Sequence, residues 1–310
     1  MANLKELTHR EDRLAGGHRL CAGCGASIAV RQVLLGAGTD PLVVGCATGC
    51  LEVSTTIYPY SSWKTPFIHN AFENSAATVS GVEAAFKGLQ RAGKIPADKK
   101  MKFVAFGGDG GTYDIGLQSL SGAMERGHDM VYVCYDNGAY MNTGIQRSSA
   151  TPKGAWATTA EVGAAQQGKL QRRKDLTQII AAHNVPYAAQ ASISHWKDLT
   201  SKAEKAFAVE GPAFLNVFAP CPRGWRIPSN QSVESAKLAV QTGFWPLYEV
   251  ENGVFRQTVK VMNRKPVTEF LKPQGRFKHL FAPGNEALLA EIQSDVDRAW
   301  DSLMARCVTE

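Results

Sequence analysis

Four glycines and one carboxylate follow a short apolar run in Phe103-Val104-Ala105-Phe106-Gly107-Gly108-Asp109-Gly110-Gly111-Thr112. Glycines permit tight turns and close backbone approach to a ligand. The first amides of a following helix, expected from about Asp114, turn the positive end of the helix dipole toward an anion. The segment has the make-up of a phosphate cradle, though of neither of the two commonest kinds. Tyr113 breaks the G-x-G-x-x-G dinucleotide pattern, and the P-loop Lys followed by Ser or Thr is missing. A carboxylate among the glycines makes sense if the phosphate arrives with a hard cation, because Mg²⁺ wants near-octahedral oxygen ligands shared between protein and phosphate.

Asp109 is the candidate anchor of that cation, and a second loop must complete the shell. Cys134-Tyr135-Asp136-Asn137-Gly138-Ala139-Tyr140-Met141-Asn142-Thr143-Gly144 supplies one, with Asn137 placed 28 residues after Asp109. Adjacent parallel strands would bring the two loops together. Asn137 would then offer its amide oxygen and Ala139 its backbone carbonyl, while Asn142 would point toward a bound ligand. Read alone, the segment is an Asp-Asn-Gly turn with Asx caps; its distance from Gly-Asp-Gly favours the ion.

The 7 cysteines are an odd number, which fits reduced thiols or metal ligands better than disulfides. Cys21-Ala22-Gly23-Cys24-Gly25 is a C-x-x-C that suits zinc, a redox dithiol or an iron–sulfur cluster. Cys50 and Cys221 follow apolar runs, where a sheet presents its ligands, so four thiols can converge at one edge. Their spacing alone does not separate zinc from 4Fe-4S. Cys46, Cys134 and Cys307, the last on the terminal helix, read as packed core thiols.

These loops need a scaffold. Leu42 to Cys46, Phe103 to Gly107, Met130 to Tyr135, Val185 to Gln190 and Ala213 to Phe218 are short and almost wholly apolar, as strands covered on both faces are, which implies parallel pairing. Helical spacing lies between them: Ala76 to Leu89 before Gly93, Ile115 to Met124 before Gly127, and Leu199 to Phe207 before Gly211, with the glycines as C-caps. Alternating β and α units predict an α/β fold, an open, doubly wound, mostly parallel sheet with ligands beyond the carboxyl ends of its strands. After Pro228 the pattern changes. Asn252-Gly253 marks a two-residue hairpin, and Leu288, Leu289, Ile292, Val296, Ala299, Trp300 and Leu303 share one helical face that would pack on the chain's own core. The expected division is a cofactor domain over 1–225 carrying the cysteines. A separate layer over 226–310 would pack on that core or on a partner subunit.

Composition excludes several classes. With 310 residues, 34 Lys+Arg against 28 Asp+Glu, 44% hydrophobic residues and 29 Gly, the chain is neither disordered, collagenous nor disulfide-dense. The first residues lack the apolar stretch of a signal peptide, and no apolar run approaches the ~18 residues of a membrane span, so a soluble cytoplasmic protein is expected. The basic run Lys169-Leu170-Gln171-Arg172-Arg173-Lys174 lacks interleaved aromatics. It reads as a solvated loop, with neither nucleic acid nor membrane expected as a partner.

Gly-Asp-Gly followed about one βα unit later by Asn is the pattern of thiamine diphosphate enzymes. From Gly17-His18-Arg19-Leu20-Cys21-Ala22-Gly23-Cys24-Gly25 through Ala47-Thr48-Gly49-Cys50-Leu51-Glu52-Val53, the chain resembles the β subunit of pyruvate:ferredoxin oxidoreductases and their 2-oxoacid relatives, oxalate oxidoreductase included. The likeness continues in Phe67-Ile68-His69-Asn70-Ala71-Phe72-Glu73-Asn74, Tyr140-Met141-Asn142-Thr143-Gly144-Ile145-Gln146-Arg147 and Ala219-Pro220-Cys221-Pro222, and spans nearly the whole chain. The resemblance implies a 4Fe-4S cluster on Cys21, Cys24, Cys50 and Cys221, and Mg²⁺ on Asp109, Asn137 and the Ala139 carbonyl. It places Thr48, Cys50, Gly108, Gly110 and Gly111 with these around thiamine diphosphate, and makes Asn142 the catalytic side chain approaching the substrate.

It further implies oxidative decarboxylation of a small 2-oxoacid with electrons passed to ferredoxin. The partners would be an α subunit with the pyrimidine-binding domain and the substrate-gripping residues, a γ subunit and a ferredoxin-like δ subunit. Glu52 and Glu73 are this chain's candidates for the carboxylate that activates the cofactor, a role the resemblance gives to the α subunit. Gly138 departs from the Glu that many relatives carry, which leaves pyruvate first and oxalate close behind as substrate. Two other readings use fewer features. A cluster-free thiamine decarboxylase or transketolase-type subunit has no use for four converging cysteines, and a non-enzymatic, zinc-stabilised interaction subunit has no use for the Gly-Asp-Gly loop.

Overall fold

The computed structural model describes residues 3–308. Its centre is one sheet of β1 Leu42–Ala47, β2 Phe67–Asn70, β3 Lys102–Gly108, β4 Val131–Asp136, β5 Tyr187–Ser192, β6 Ala213–Phe218, β7 Tyr248–Glu251 and β8 Val254–Gln257, in the order β2-β1-β3-β4-β6-β5-β7-β8. The first six strands pair in parallel, and β7 and β8 add antiparallel beyond β5. The expected doubly wound, mostly parallel α/β sheet is what forms.

Alternate side chains of the central strands serve two separate cores. Val104, Phe106, Val133 and Tyr135 enter one; Phe103, Ala105, Tyr132 and Cys134 enter the other. A strand that must satisfy two apolar layers has no polar face to show, hence the unbroken runs. The helices Gly25–Gly36 and Trp196–Ala208 cover one face, and Ser75–Arg91 and Leu117–Glu125 cover the other. The chain leaves β1 toward β2 on one side and returns to β3 on the other, so the topological switch point lies between β1 and β3. In such sheets ligands bind there. Register aligns the rims of neighbouring strands: Cys46 pairs with Phe106, Gly108 with Tyr135, and Asp136 with Phe218.

Several expectations shift. β5 starts after Pro186, which has no N–H for the ladder, rather than at Val185. β2 was not anticipated, because this short edge strand is partly exposed and lacks an apolar run. After the glycine cradle the backbone makes a π-type turn, Gly111–Ile115, before the α-helix Leu117–Glu125, instead of one helix from Asp114. The hairpin turn has φ of 50° at Asn252 and 80° at Gly253, as a two-residue primed turn requires.

The hairpin does not form a separate layer, however. β7 continues the sheet, and Trp225, Trp245 and Phe270 pack around Phe218, with the Trp245 ring 4.6 Å from that of Phe218. A strand pair with Tyr248, Val250 and Phe255 to bury and a free β5 edge beside it gains more from the sheet than from standing alone. The terminal helix Glu286–Met304 buries Ile292, Val296 and Leu303 on the chain's own core and leaves Ala299 exposed. Cys46 and Cys134 are fully buried, whereas Cys307 lies beyond that helix and is only partly buried. No helix among the described residues is long and apolar enough to cross a membrane.

Gly36 shows which local force prevails. A Cβ there would sit 2.4 Å from the Ala203 Cβ, where the two covering helices touch. Helix propensity favours Gly36→Ala by about 1 kcal/mol, but overpacking of this kind costs about 1–3 kcal/mol. A lower thermal midpoint is expected for Gly36→Ala; a higher one would mean that the helices separate at little cost.

Candidate active site

Asp109 follows β3 and is fully buried. Its Oδ1 accepts the Asn137 backbone N–H at 3.2 Å and its Oδ2 accepts the Ser148 hydroxyl at 2.5 Å. One terminal atom of the Asn137 amide lies 2.9 Å from both the Ala139 carbonyl oxygen and Asp109 Oδ1. With NH₂ at that position the amide donates to both; with oxygen there, three oxygens face one another. Their spacing is close to the roughly 3.0 Å between neighbouring ligands of an octahedral Mg²⁺ with bonds of about 2.1 Å. The Ala139 N–H points at the same atom from 3.4 Å, which suits oxygen. Burial, and then the like charge of Asp136, push the Asp109 carboxyl well above the ordinary carboxylate range, and its bonds from Ser148 and Asn137 offset this only in part. A hard cation at the three oxygens would reverse that direction.

Asp136, fully buried at the end of β4, is neutralised from within. Its Oδ2 accepts the Tyr113 hydroxyl and Arg173 Nη2, each at 2.6 Å, and its Oδ1 accepts the Gly138 N–H at 3.1 Å. Asn216 Nδ2 and Arg173 Nη2 donate to the Tyr113 hydroxyl oxygen, both at 2.8 Å, and the guanidinium lies over the Trp245 ring, 4.6 Å from its centroid. Burial pulls the guanidinium pKa down, yet Asp136 holds it above its ordinary value. Lys169 is 2% exposed and donates to the carbonyls of Ser149 and Thr151. The basic run is therefore not simply a solvated loop: Lys169 and Arg173 turn inward, because buried oxygens at the sheet rim need donors, while Leu170 and Arg172 stay exposed.

The four candidate thiols come from three loops. Cys24 stands just before the helix Gly25–Gly36, Cys50 opens the helix Cys50–Thr55, and the Cys221 Sγ accepts the Gly224 N–H at 3.3 Å. Gly25 donates its N–H to the Pro220 carbonyl at 3.0 Å, which lays the C-x-x-C loop against the Cys221 loop. A Cβ at Gly25 would fall 2.6 Å from the Ala219 carbonyl carbon, so only glycine permits that approach. Burial pushes the Cys24 thiol up to about 11 and the Cys50 thiol up to about 12, and the neighbouring thiols add to both shifts. Cys21 and Cys221 contribute to each, and Asp109 contributes to that of Cys50. Among the described residues, no three or more His, Cys, Asp or Glu side chains close to the spacing of a single-ion shell.

The structure brings Thr48, Cys50, Gly108, Gly110, Gly111, Asn137, Ala139 and Asn142 to the lining of one cleft at the switch point, with Asn142 exposed at its mouth. Cys21, Cys24 and Cys221 lie outside that lining, as does Asp109, which is buried behind Asn137. Gly110 and Gly111 are held by packing, since side chains there would meet the Tyr140 ring at 2.4 Å and the Phe72 carbonyl oxygen at 2.9 Å. Glu52 is 8% exposed, accepts the Thr56 hydroxyl at 3.0 Å and lies 3.5 Å from His69, while Glu73 is exposed. A larger cavity of about 340 Å³ lies behind Tyr113 and Arg173, against Trp245 and Trp300, and contains none of the candidate residues. Sequence reasoning missed Tyr113, Ser148, Arg173 and Trp225, whose Nε1 donates to the Asn137 carbonyl at 2.6 Å. Ser148, Arg173 and Trp225 are recruited from distant segments without a local motif, and Tyr113, which directly follows the cradle, gains its role only from Asp136, 23 residues on. In the loop that carries Asn142, Ile145 has φ 66°, a β-branched residue in the left-handed region.

The profile of the thiamine pyrophosphate enzyme C-terminal TPP-binding domain matches residues 44–217. Pyruvate synthase subunit PorB of Thermotoga maritima is 56% identical over 310 aligned residues, covering 97% of this chain and 95% of that protein. The subunit of the same name in Methanocaldococcus jannaschii is 56% identical, with 87% and 91% covered. Ketoisovalerate oxidoreductase subunit VorB of Pyrococcus furiosus is 44% identical, with 93% and 92% covered. Among solved structures, the 2-oxoglutarate:ferredoxin oxidoreductase from Magnetococcus marinus with 2-oxoglutarate, coenzyme A and succinyl-CoA bound shares the fold, with a TM-score of 0.55 at 21% identity over 76% of this chain and 81% of that one.

Asp109→Asn retains an acceptor for the Asn137 N–H and a partner for Ser148 while removing a buried negative charge beside Asp136. The metal-free protein carrying it is expected to melt at or above the parent's temperature at pH 7. A marked drop would show that the carboxylate charge itself holds the loops together.

Proposed function

The chain belongs to the thiamine pyrophosphate enzymes, as a β subunit of the 2-oxoacid:ferredoxin oxidoreductases, and from that footing we propose that it is the cofactor-binding subunit of a pyruvate:ferredoxin oxidoreductase. Pyruvate takes precedence over oxalate because both relatives at 56% identity are named as pyruvate synthase subunits. When bound, thiamine diphosphate supplies the carbon that adds to the 2-oxoacid carbonyl and retains the electrons left by loss of CO₂, and an iron–sulfur centre supplies their one-electron acceptor.

In this reading Asp109, Asn137 and the Ala139 carbonyl hold Mg²⁺, and the backbone at Gly108, Gly110 and Gly111, with Thr48, faces the diphosphate. Asn142 orients the substrate at the mouth of the cleft. Cys21, Cys24, Cys50 and Cys221 hold a 4Fe-4S cluster. The observation that carries the proposal is the position of Cys50, which lines the same cleft as Asn137 and Ala139 and has its thiol raised by both the other cysteines and Asp109. One residue thus joins an oxygen-ligand site to a thiol set, as a two-part redox centre needs. Zinc in the thiols would leave the electrons without an acceptor.

Glu52 is engaged with Thr56 and His69 and Glu73 faces solvent, which supports an activating carboxylate on an α subunit. Ferredoxin and γ and δ subunits complete the proposed assembly, which would work in the cytoplasm.

The test is an anaerobically purified complex assayed for pyruvate-dependent ferredoxin reduction. Cys21→Ser and Cys221→Ser are expected to lose the iron of this subunit and electron transfer together; retained turnover would contradict the thiol assignment. Asp109→Ala is expected to lose thiamine diphosphate and Mg²⁺ together with the sheet intact by circular dichroism, and unchanged cofactor retention would remove Asp109 from the site. A substrate panel in which oxalate outruns pyruvate would overturn the choice of substrate.

A further inference from the structure

Arg276 is 2% exposed, and its guanidinium lies over the Trp225 ring, 4.1 Å from the centroid. Its Nε donates to Gln274 Oε1 at 2.9 Å, and no carboxylate among the described residues lies within ion-pair distance of it. Of the other buried cations, Arg173 is paired with Asp136 and Lys202 with Asp198, whereas Lys169 and Arg13 each donate to two backbone carbonyls. A charge held in a dry interior without a counter-charge is costly, by several kcal/mol in typical cases. The charges that act on it are Cys221, Asp136 and Asp109, which favour its protonated form, and Arg173, which opposes it and already answers Asp136. Burial pulls Arg276 down to about 9, against the upward pull of the first three, so it stays protonated at neutral pH.

Two further contacts fix where this charge sits. Trp225, on which it stacks, ends the short helix that begins after Cys221 and also donates to the Asn137 carbonyl. Arg276 Nη1 lies 3.0 Å from the place a Cβ on Gly138 would take, so the bare backbone beside Asn137 makes room for it. The cation therefore packs on the helix that follows Cys221 and beside Gly138, between Asn137 and Ala139 in sequence. A 4Fe-4S centre ligated by four thiolates is an anion and becomes more negative on reduction, and nearby charge is among the factors that set its potential.

We propose that Arg276 is the buried counter-charge of the iron–sulfur cluster, a positioning residue stacked on Trp225 that raises the cluster's reduction potential so that it accepts electrons from the cofactor side. This rests on the four-cysteine cluster reading above. A positive charge beside Cys221 favours the more negative, reduced state, so its removal lowers the potential.

The experiment is a redox titration of the assembled complex followed by electron paramagnetic resonance, comparing wild type, Arg276→Gln and Arg276→Lys. The relevant signal is identified as the one that Cys221→Ser abolishes. At the wild-type midpoint, Arg276→Gln is expected to show a roughly tenfold lower ratio of reduced to oxidised cluster, about 59 mV for one electron. Arg276→Lys, which keeps the charge without the planar stack, is expected to recover most of it. Loss of iron in the Gln variant with retention in the Lys variant also supports the proposal, since assembly then requires the charge. An unchanged midpoint in Arg276→Gln overturns it, as does an equal shift or an equal loss of iron in both variants, either of which makes Arg276 a packing residue. A wild-type complex in which Cys221→Ser abolishes no signal and removes no iron would instead sink the cluster reading itself, whatever Arg276 does.

Discussion

Two carboxylates buried side by side at the ends of β3 and β4 set the terms for this rim of the molecule. Desolvation and mutual repulsion make a pair of ionised acids untenable in a dry site unless positive charge is supplied. The chain pairs only one acid directly with a cation. Arg173 and Tyr113 converge on Asp136, whereas Asp109 receives neutral donors from Ser148 and Asn137, and its pKa is driven upward as a result. The asymmetry leaves one carboxylate whose natural complement is a cation from outside, beside an amide and a carbonyl oxygen at ligand-to-ligand distance.

That arrangement places strict demands on the scaffold. The two acids meet only because β3 and β4 are parallel neighbours whose carboxyl ends lie level, and the cleft opens only because the chain reverses direction between β1 and β3. The rim then carries Asp109 and Asn137 after β3 and β4 and cysteines in the loops after β1 and β6, with Cys50 in the same cleft as Asn137 and Ala139. The parallel sheet is thus the device that brings side chains of two kinds to one rim, and the two apolar cores on its faces make it stiff enough to do so.

Much of this is legible in the amino-acid sequence, and the residues that are not share one character. Gly-Asp-Gly, Asn137 and the cysteine loops are local signals, written in residues adjacent in the chain, as is the Asn252-Gly253 turn. The strands were legible because dual-face burial leaves a continuous apolar run. Arg173 was read as part of a solvated run because its reason for turning inward, Asp136, lies 37 residues away and is invisible to any local pattern. Arg276 and Trp225 are hidden in the same way, and the tail was taken for a separate layer because nothing in its own sequence reports that β5 has a free edge. Local chemistry writes its own signature, while the groups that neutralise and position it are assembled by the fold.

The thiol and oxygen sites are not merely neighbours. Trp225 donates to the carbonyl of Asn137, whose side chain faces Asp109, and it also follows Cys221 by one helical turn while carrying Arg276 on its ring. Moving the Cys221 loop therefore displaces an Asn137 bond, and moving the oxygen loop displaces the support under the cation. Each half of the rim is held in register by the other through one indole. In the proposed redox reading, a rigid link that both loops share would keep the two centres at a fixed separation, which gives a large, fully buried tryptophan at that point a physical role.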